Sequence, residues 1–138
     1  MELEKISTYS ALEFETYALK IGYSFVSGFS TSTTSLYKCD KSRPDGKADQ
    51  LSRTFKIGMI SPIVQIGTTD KQYYLEAFDY AKANNYIAIG QEQQEILEGI
   101  ISTWYYFSNN VYTYIFYTFS IQDGTAFYNI QVFKNAGE

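Results

Sequence analysis

Residues 111–134, VYTYIFYTFSIQDGTAFYNIQVFK, are the stretch on which the predicted fold depends. Mostly apolar residues occupy every second position from Val111 to Ile121, and aromatic residues fill several positions between them. Asp123 followed by Gly124 is a dipeptide typical of a tight turn between antiparallel strands. The stretch therefore predicts a β-hairpin. Because both faces of its first strand are apolar, one face is expected in the core and the other against a helix, a ligand or a partner.

Upstream of this hairpin, the sequence predicts an α-helix over residues 70–84. Apolar side chains recur there at helical spacing: Tyr74, Leu75, Phe78 and Ala81. Thr68 or Thr69 can cap the helix, and Asp70 in the first turn favours the helix dipole. These start signals and the following pair of asparagines bound the predicted helix.

The segments before the helix read as strands. Residues 12–29 alternate well enough to predict one long or two short strands, with Gly22 and Gly28 marking bulges or strand ends. Residues 54–67 predict a further strand, which Pro62 splits or places at a sheet edge. Residues 1–10 are expected to form a frayed lead-in or a short helix, the rest of the first 52 residues shows strands but no convincing helix, and we find no internal repeat in the sequence.

Residues 91–107 leave two interpretations open. Glutamine and glutamate at positions 91–95 favour a helix, and several apolar residues fit one helical face: Ile96, Leu97, Ile100, Ile101 and Trp104. Gly99 and the β-favouring run from Ile100 to Phe107 favour a strand instead. The short apolar segment before them, Tyr86 to Gly90, predicts a buried strand.

Length and composition predict one α+β domain spanning residues 1–138. A chain of 138 residues with 45% hydrophobic residues can bury a core, and 18% aromatic residues favour strands. The predicted architecture is an antiparallel β-sheet packed against one or two α-helices.

The negative net charge and the absence of histidine exclude or disfavour several classes of function. A net charge of −4 argues against general nucleic-acid binding, and the absence of histidine excludes histidine-based catalysis and zinc sites. Cys39 is the single cysteine, which suits a reducing compartment. The sequence shows neither a secretory leader nor a membrane-spanning apolar run, so we expect a cytoplasmic protein. No metal, cofactor or catalytic group is expected, and binding is favoured over enzymatic activity.

Aromatic residues and carboxylates are concentrated in one part of the chain. From Ala83 to Phe133 there is no lysine or arginine. Such a composition suits a pocket for a hydrophobic, aromatic or cationic small molecule. The candidate ligand-binding residues are two carboxylates and four aromatic walls: Glu98, Glu95, Trp104, Tyr106, Tyr112 and Tyr114. Equally open is an aromatic sheet core with the glutamates on the wet face of a helix.

Four segments follow one another in the order strand, helix, short strand and glutamate-bearing strand: Phe55–Met59, Tyr73–Asn84, Asn85–Gly90 and Leu97–Ile101. This order over residues 53–133 resembles the second half of GyrI-like effector domains, found on multidrug-responsive transcription regulators and as free-standing binding proteins. The resemblance implies binding of a lipophilic cation between aromatic rings around a buried glutamate. By resemblance, Glu98 would be that carboxylate, with Glu95 as second choice.

Two other functions remain open at this stage. One is an acidic protein-interaction module of the immunity or inhibitor type that covers a basic partner through glutamate and tyrosine, or a homodimer. The other is a carboxylate-based metal-dependent nuclease, suggested by Pro44, Asp45 and a cluster of basic residues: Lys38, Lys41, Arg43, Lys47, Arg53 and Lys56. No acid stands two positions before Lys56, which weakens the nuclease pattern, and a solvated loop explains the cluster equally well.

Overall fold

The computed structural model describes residues 3–26, 31, 33–39, 49–122 and 124–136. Among these residues, eight antiparallel strands form one sheet in the order β1-β2-β3-β4-β8-β7-β6-β5. The strands are β1 (Tyr23–Phe25), β2 (Thr34–Cys39), β3 (Gln50–Thr54), β4 (Ile63–Thr68), β5 (Ile87–Leu97), β6 (Ile100–Ser108), β7 (Tyr112–Ser120) and β8 (Ala126–Lys134). Short helices accompany them: α1 (Leu3–Ile6), α2 (Ala11–Lys20) and α3 (Lys71–Ala83). The expected antiparallel sheet with helices is thus present, although the helices are short.

The sheet consists of two halves with the same order of elements. Helix α2 precedes β1–β4, and helix α3 precedes β5–β8. From each edge of the sheet to its middle the strands follow in chain order, β1 to β4 from one edge and β5 to β8 from the other. The halves meet where β4 pairs with β8, with Gln65 opposite Gln131 and an aliphatic residue on either side of each. The structure therefore has a pseudo-two-fold arrangement that the sequence did not reveal.

Helix α2 corrects the strand prediction over residues 12–20, whereas β1 is a short strand within the predicted range and Gly28 lies outside the described residues. Ser10 caps it: its hydroxyl accepts from the Glu13 backbone N–H at 3.2 Å, while Glu13 accepts from the Ser10 N–H at 3.1 Å. Such a reciprocal cap satisfies two amide groups that a helix start leaves unpaired. Phe14 and Ala18, one turn apart, are fully buried, whereas Leu12 is exposed. Exposed apolar residues such as Leu12 produced an alternation of apolar and polar residues that resembles the pattern of a strand.

The predicted helix over residues 70–84 is confirmed as α3. Its N-cap is Asp70, not Thr68 or Thr69: the Asp70 carboxylate accepts from the backbone N–H of Gln72 at 3.0 Å. The Thr68 hydroxyl instead accepts from the Asp70 N–H at 2.9 Å, which fixes the turn before the helix. A side chain that accepts from the second helical N–H is the usual geometry of an N-cap.

Residues 91–107 are strand, which decides between the two interpretations of the sequence. Strands β5 and β6 form a hairpin whose turn contains Gly99 at φ 77°. This left-handed conformation suits glycine because other residues are strained by their Cβ atom. Pairing with β6 outweighs the helix preference of the glutamines and glutamates on β5, as tertiary contacts commonly do.

The hairpin of residues 111–134 is confirmed as β7 and β8, which pair from Tyr112 opposite Lys134 to Ser120 opposite Ala126. Its turn residue Asp123 lies outside the described residues, as do Lys41, Arg43 and Lys47 of the basic loop and the nuclease residues Pro44 and Asp45. The strand predicted over residues 54–67 is confirmed only for its second part, because β4 begins directly after Pro62. β3 ends at Thr54, and residues 55–62, with Ile57 fully exposed, are turn and loop, so the predicted strand through Phe55 and Met59 is wrong.

The helices and one face of the sheet enclose a common core. The sheet residues in it include Leu51, Val64, Ile66, Phe107, Tyr114, Phe116, Ile130 and Val132. Phe116 is fully buried, and its ring centroid lies 5.0 Å from Phe78 and 5.7 Å from Tyr74, both on α3. Alternate positions of the same strands, such as Tyr117 and Gln131, point to the opposite face. No helix in the described part of the chain is long and apolar enough to cross a membrane.

Candidate functional site

The two predicted carboxylates lie on the projecting β5–β6 hairpin. Glu98 stands in its turn, beside Gly99, and Glu95 lies near the end of β5 opposite Ile101. Both glutamate side chains are exposed. The structure therefore places neither of them in an enclosed aromatic pocket.

Two of the four predicted aromatic walls, Trp104 and Tyr106, lie on the face of the sheet opposite the core. Trp104 stacks on Tyr117, with ring centroids 4.1 Å apart and planes 12° apart. The Tyr106 hydroxyl donates to a carboxylate oxygen of Glu92, which the sequence did not single out. That bond and one from Gln94 lower the pKa of Glu92, while burial and Glu92 raise the pKa of Tyr106 to about 12.

The other two predicted walls, Tyr112 and Tyr114 on β7, lie on the core face. Tyr106 pairs with Ile115 on β7, so these two side chains are on the same face of the sheet. Because side chains alternate along a strand, Tyr112 and Tyr114 point to the other face. Of the six predicted residues, Tyr114 alone is among the described lining residues of a cavity on this face of the sheet. The six predicted residues therefore do not form one site. The two glutamates are exposed on the β5–β6 hairpin, and the four aromatic residues are divided between the two faces of the sheet.

That cavity lies between α1, α3 and β7 and has a volume of about 510 Å³. Its lining residues come from all three elements: Leu3, Glu4, Lys5, Tyr73, Glu76, Ala77, Tyr80 and Tyr114. Three of these are tyrosines, and the charged ones are two glutamates and one lysine. The cavity therefore combines aromatic walls with an excess of negative charge, which is the combination predicted from the sequence but, apart from Tyr114, made by other residues.

Glu4 is the carboxylate held among these aromatic rings. Tyr86 donates a hydrogen bond to its Oε1 atom at 2.8 Å, and Tyr114 donates to the same atom at 3.2 Å. The two rings meet edge to face with centroids 4.9 Å apart. Glu4 is half-buried, and hydrogen bonds from donors to an ionised carboxylate are stronger than those between neutral groups.

The tyrosine hydroxyls around Glu4 are held in their protonated form. Burial, followed by interactions with Glu4, raises the pKa of Tyr86 and of Tyr114 far above the ordinary value for tyrosine. On another wall, burial and then the charge of Asp49 raise the pKa of Tyr73 to about 12. At neutral pH these groups act as hydrogen-bond donors and as ring surfaces, not as bases.

Sequence reasoning missed Glu4 because its partners are distant, 82 and 110 positions along the chain. The signal that could have found it is the spacing of Leu3 and Ile6, which places both on one side of a helical turn. Both are buried in the core, which holds the adjacent Glu4 against the sheet.

A smaller cavity of about 290 Å³ lies on the opposite face of the sheet, near the junction of β4 and β8. Its lining is neutral and rich in amides: Gln50, Gln65, Gly67, Thr68, Tyr117, Phe119, Phe127 and Asn129. Gln131 donates to Gln65 at 2.7 Å, and Gln65 donates to Asn129 at 3.3 Å. These amides largely bond to one another, and the cavity offers no charge to a ligand.

Among the described residues, no group of three or more His, Cys, Asp or Glu side chains is placed to hold a metal ion. Comparison with protein-family models, with curated proteins and with solved structures gives no match to this chain. The resemblance to GyrI-like domains therefore stays a prediction.

Proposed function

We propose that this protein binds a small organic cation with an aromatic or aliphatic body, without chemical conversion, in the cavity between α1, α3 and β7. Glu4 supplies the counter-charge, and Tyr73, Tyr80 and Tyr114 supply the walls. The observation that carries the proposal is the placement of the Glu4 carboxylate, bonded to two tyrosine hydroxyls, inside an aromatic cavity.

The size and chemistry of the cavity suit such a ligand. A volume of about 510 Å³ falls within the range of small-molecule sites, about 300–1,000 Å³. Both tyrosines donate to Oε1, and a carboxylate has a second oxygen that can accept from an ammonium group. Each ring that faces the cation would add about 0.5–2 kcal/mol through cation–π attraction.

The same groups favour binding over catalysis. Burial raises the pKa values of Tyr73 and Tyr114, so their hydroxyls stay protonated at neutral pH and act as hydrogen-bond donors rather than as bases. The chain contains no histidine to take a proton from a substrate. Among the described lining residues, Glu4, Glu76 and Lys5 leave one net negative charge, which favours a monovalent cation.

Thermal unfolding with matched ligands tests the proposal. The probes are 4-phenylbutylammonium and its neutral counterpart 4-phenylbutanol, with other aryl and quaternary ammonium ions as a wider panel. At tenfold excess over Kd, the cation should raise Tm by about 4 °C. Glu4→Gln keeps an oxygen that can accept from Tyr86 but removes the charge, so the rise should disappear.

Glu98→Gln is the matched control, because it removes the same charge from the exposed hairpin turn. This variant should respond to the cation as the unsubstituted chain does. Equal stabilisation of the Glu4→Gln variant by the cation, or no stabilisation by any cation of the panel, would overturn the proposed function.

A further inference from the structure

The two edges of the sheet differ in length and accessibility. Strand β1 at one edge has 3 residues, whereas β5 at the other edge has 11. In the described part of the chain, β5 pairs with β6 on one side only, and nearly all of its residues are exposed. An edge of this length presents a row of backbone N–H and C=O groups that can pair with another strand.

The usual protection of such an edge is sparse here. Strand β5 contains no proline, lysine or arginine. Register irregularities occur between Ala88 and Gly90 and between Glu95 and Leu97, near its two ends. Between them, residues 90–95 pair regularly with residues 101–106 and leave a straight run of six residues. This run is long enough to form a new strand pair, because strands of five to six residues are common.

Apolar side chains flank the run. Ile87, Ile89, Leu97 and Ile101 are each more than half exposed, at 70%, 61%, 53% and 64%. Two of them lie at one end of β5 and two near its other end, so a partner strand along this edge would cover exposed aliphatic surface at both of its ends. These aliphatic residues would contact alternate side chains of an added strand.

The negative charge of this edge indicates whether a second copy of the chain or a basic segment of another protein would bind there. Glu92, Glu95 and Glu98 are exposed along the hairpin, and the sequence from Ala83 to Phe133 has no lysine or arginine. A second copy of the chain, paired through its own β5, would bring the glutamates of both copies together without a counter-charge. Like charges on paired strands are destabilising, so the edge disfavours a homodimer and favours a basic segment.

We propose that the outer edge of β5 binds an extended, basic segment of a partner protein as a ninth strand of the sheet. The backbone of residues 90–95 would pair with the segment. Its lysine or arginine side chains would lie near Glu92 and Glu95, and its apolar side chains would contact Ile89 and Leu97. This site is separate from the cavity around Glu4 and does not depend on the proposed ligand.

Nuclear magnetic resonance of the full chain labelled with ¹⁵N tests this inference. The probe is a nine-residue peptide of alternating lysine and valine, and the control is the same peptide methylated at alternate backbone nitrogens. Methylation preserves the charge but removes the amide donors that strand pairing needs. We expect shifts concentrated at the amides of residues 90–95, slower hydrogen exchange there, and at least tenfold weaker binding of the methylated peptide.

A charge variant tests the selectivity of the edge. The combined substitution Glu92→Gln, Glu95→Gln and Glu98→Gln should weaken binding of the lysine peptide about tenfold at low salt, since it removes the negative charge of the hairpin that attracts the peptide. Asp79→Asn, which removes an exposed carboxylate of α3, should leave peptide binding unchanged.

Three results would overturn the inference. One is the absence of shifts at residues 90–95 with millimolar peptide. Another is equal binding of the methylated peptide, which would show attraction without strand pairing. The third is a concentration-dependent dimer of the chain whose shifts map to β5, which would make a second copy the occupant.

Discussion

The hydroxyl of Tyr86 lies 2.8 Å from Oε1 of Glu4 and donates a hydrogen bond to it. This contact joins α1 to the start of the second half of the sheet. Tyr114 on β7 donates to the same oxygen, so β7 and the residue just before β5 together hold one carboxylate in place. The cavity depends on this arrangement, because α1 forms one of its walls.

Removing one of these hydroxyls should destabilise the protein measurably. A hydrogen bond to a charged group contributes about 1.5–3 kcal/mol, and the half-buried site puts Tyr86→Phe near the lower value. Urea unfolding followed by circular dichroism measures the loss. Tyr105→Phe, at a more exposed position, should change the unfolding free energy by less than about 0.5 kcal/mol. Equal effects of the two substitutions would contradict the assigned role of Tyr86.

Stability should fall at alkaline pH because of the buried tyrosines. The pKa of Tyr73 is raised to about 12, and those of Tyr86 and Tyr114 are raised further, chiefly by burial. Their contribution is fully present below the unfolded pKa of about 10, and it is lost as pH rises toward the folded values. Each hydroxyl that stays protonated only in the folded state gives a slope of about 1.4 kcal/mol per pH unit.

Urea midpoints between pH 8 and pH 11.5 measure this loss, and tyrosinate absorbance reports ionisation of the folded chain. Tyr86→Phe should give a shallower decline above pH 10 than the unsubstituted chain, since one of the shifted groups is absent. A flat stability profile up to pH 11.5 would show that burial does not hold these hydroxyls protonated.

The residue after the C-cap of α3 has an unusual backbone conformation. Asn85 has φ 65°, the only positive value at a non-glycine residue in the described part of the chain. Asparagine tolerates this region better than most residues, and glycine tolerates it best. Asn85→Ala should therefore destabilise the fold by about 1 kcal/mol, whereas Asn85→Gly should stay within about 0.5 kcal/mol. Comparison of the two urea midpoints checks this, and equal losses would contradict the conformational explanation.

Fluorescence of Trp104, the only tryptophan, should respond to changes on the face of the sheet opposite the core. It stacks on Tyr117, away from the cavity that contains Glu4. Saturation with 4-phenylbutylammonium should leave the Trp104 emission almost unchanged, whereas Tyr117→Leu should change it because the stacked ring is lost. Strong quenching by the cation in proportion to binding would place the ligand on the wrong face for our proposal.

The sequence predicted those helices and strands whose formation is determined by residues close together in the chain, such as a helix cap, a helical spacing or a turn. Asp70 and the helical spacing of Tyr74 and Phe78 were enough for α3, and the alternating pattern before Gly124 was enough for the last hairpin. Helix α2 was missed although Ser10 and Glu13 form a capping box, because exposed apolar residues imitate the alternation of a strand.

The candidate site could be predicted as a type but not as a set of residues. Aromatic rings around a glutamate were expected near Glu98, whereas the structure places this combination around Glu4, at the other end of the chain. The missing information is long-range: which strands lie together, and which face of β7 a given tyrosine occupies. Tyr114 was found because it belongs to the hairpin whose pattern was clear.

Calorimetric titration of 4-phenylbutylammonium and 4-phenylbutanol shows whether Glu4 supplies the counter-charge for a bound cation. If Glu4 is the counter-charge, the unsubstituted chain should bind the cation at least tenfold more tightly than the alcohol, a difference of about 1.4 kcal/mol. In Glu4→Gln, the two affinities should become equal, with the alcohol bound as before. An undiminished preference for the cation in Glu4→Gln would contradict the account.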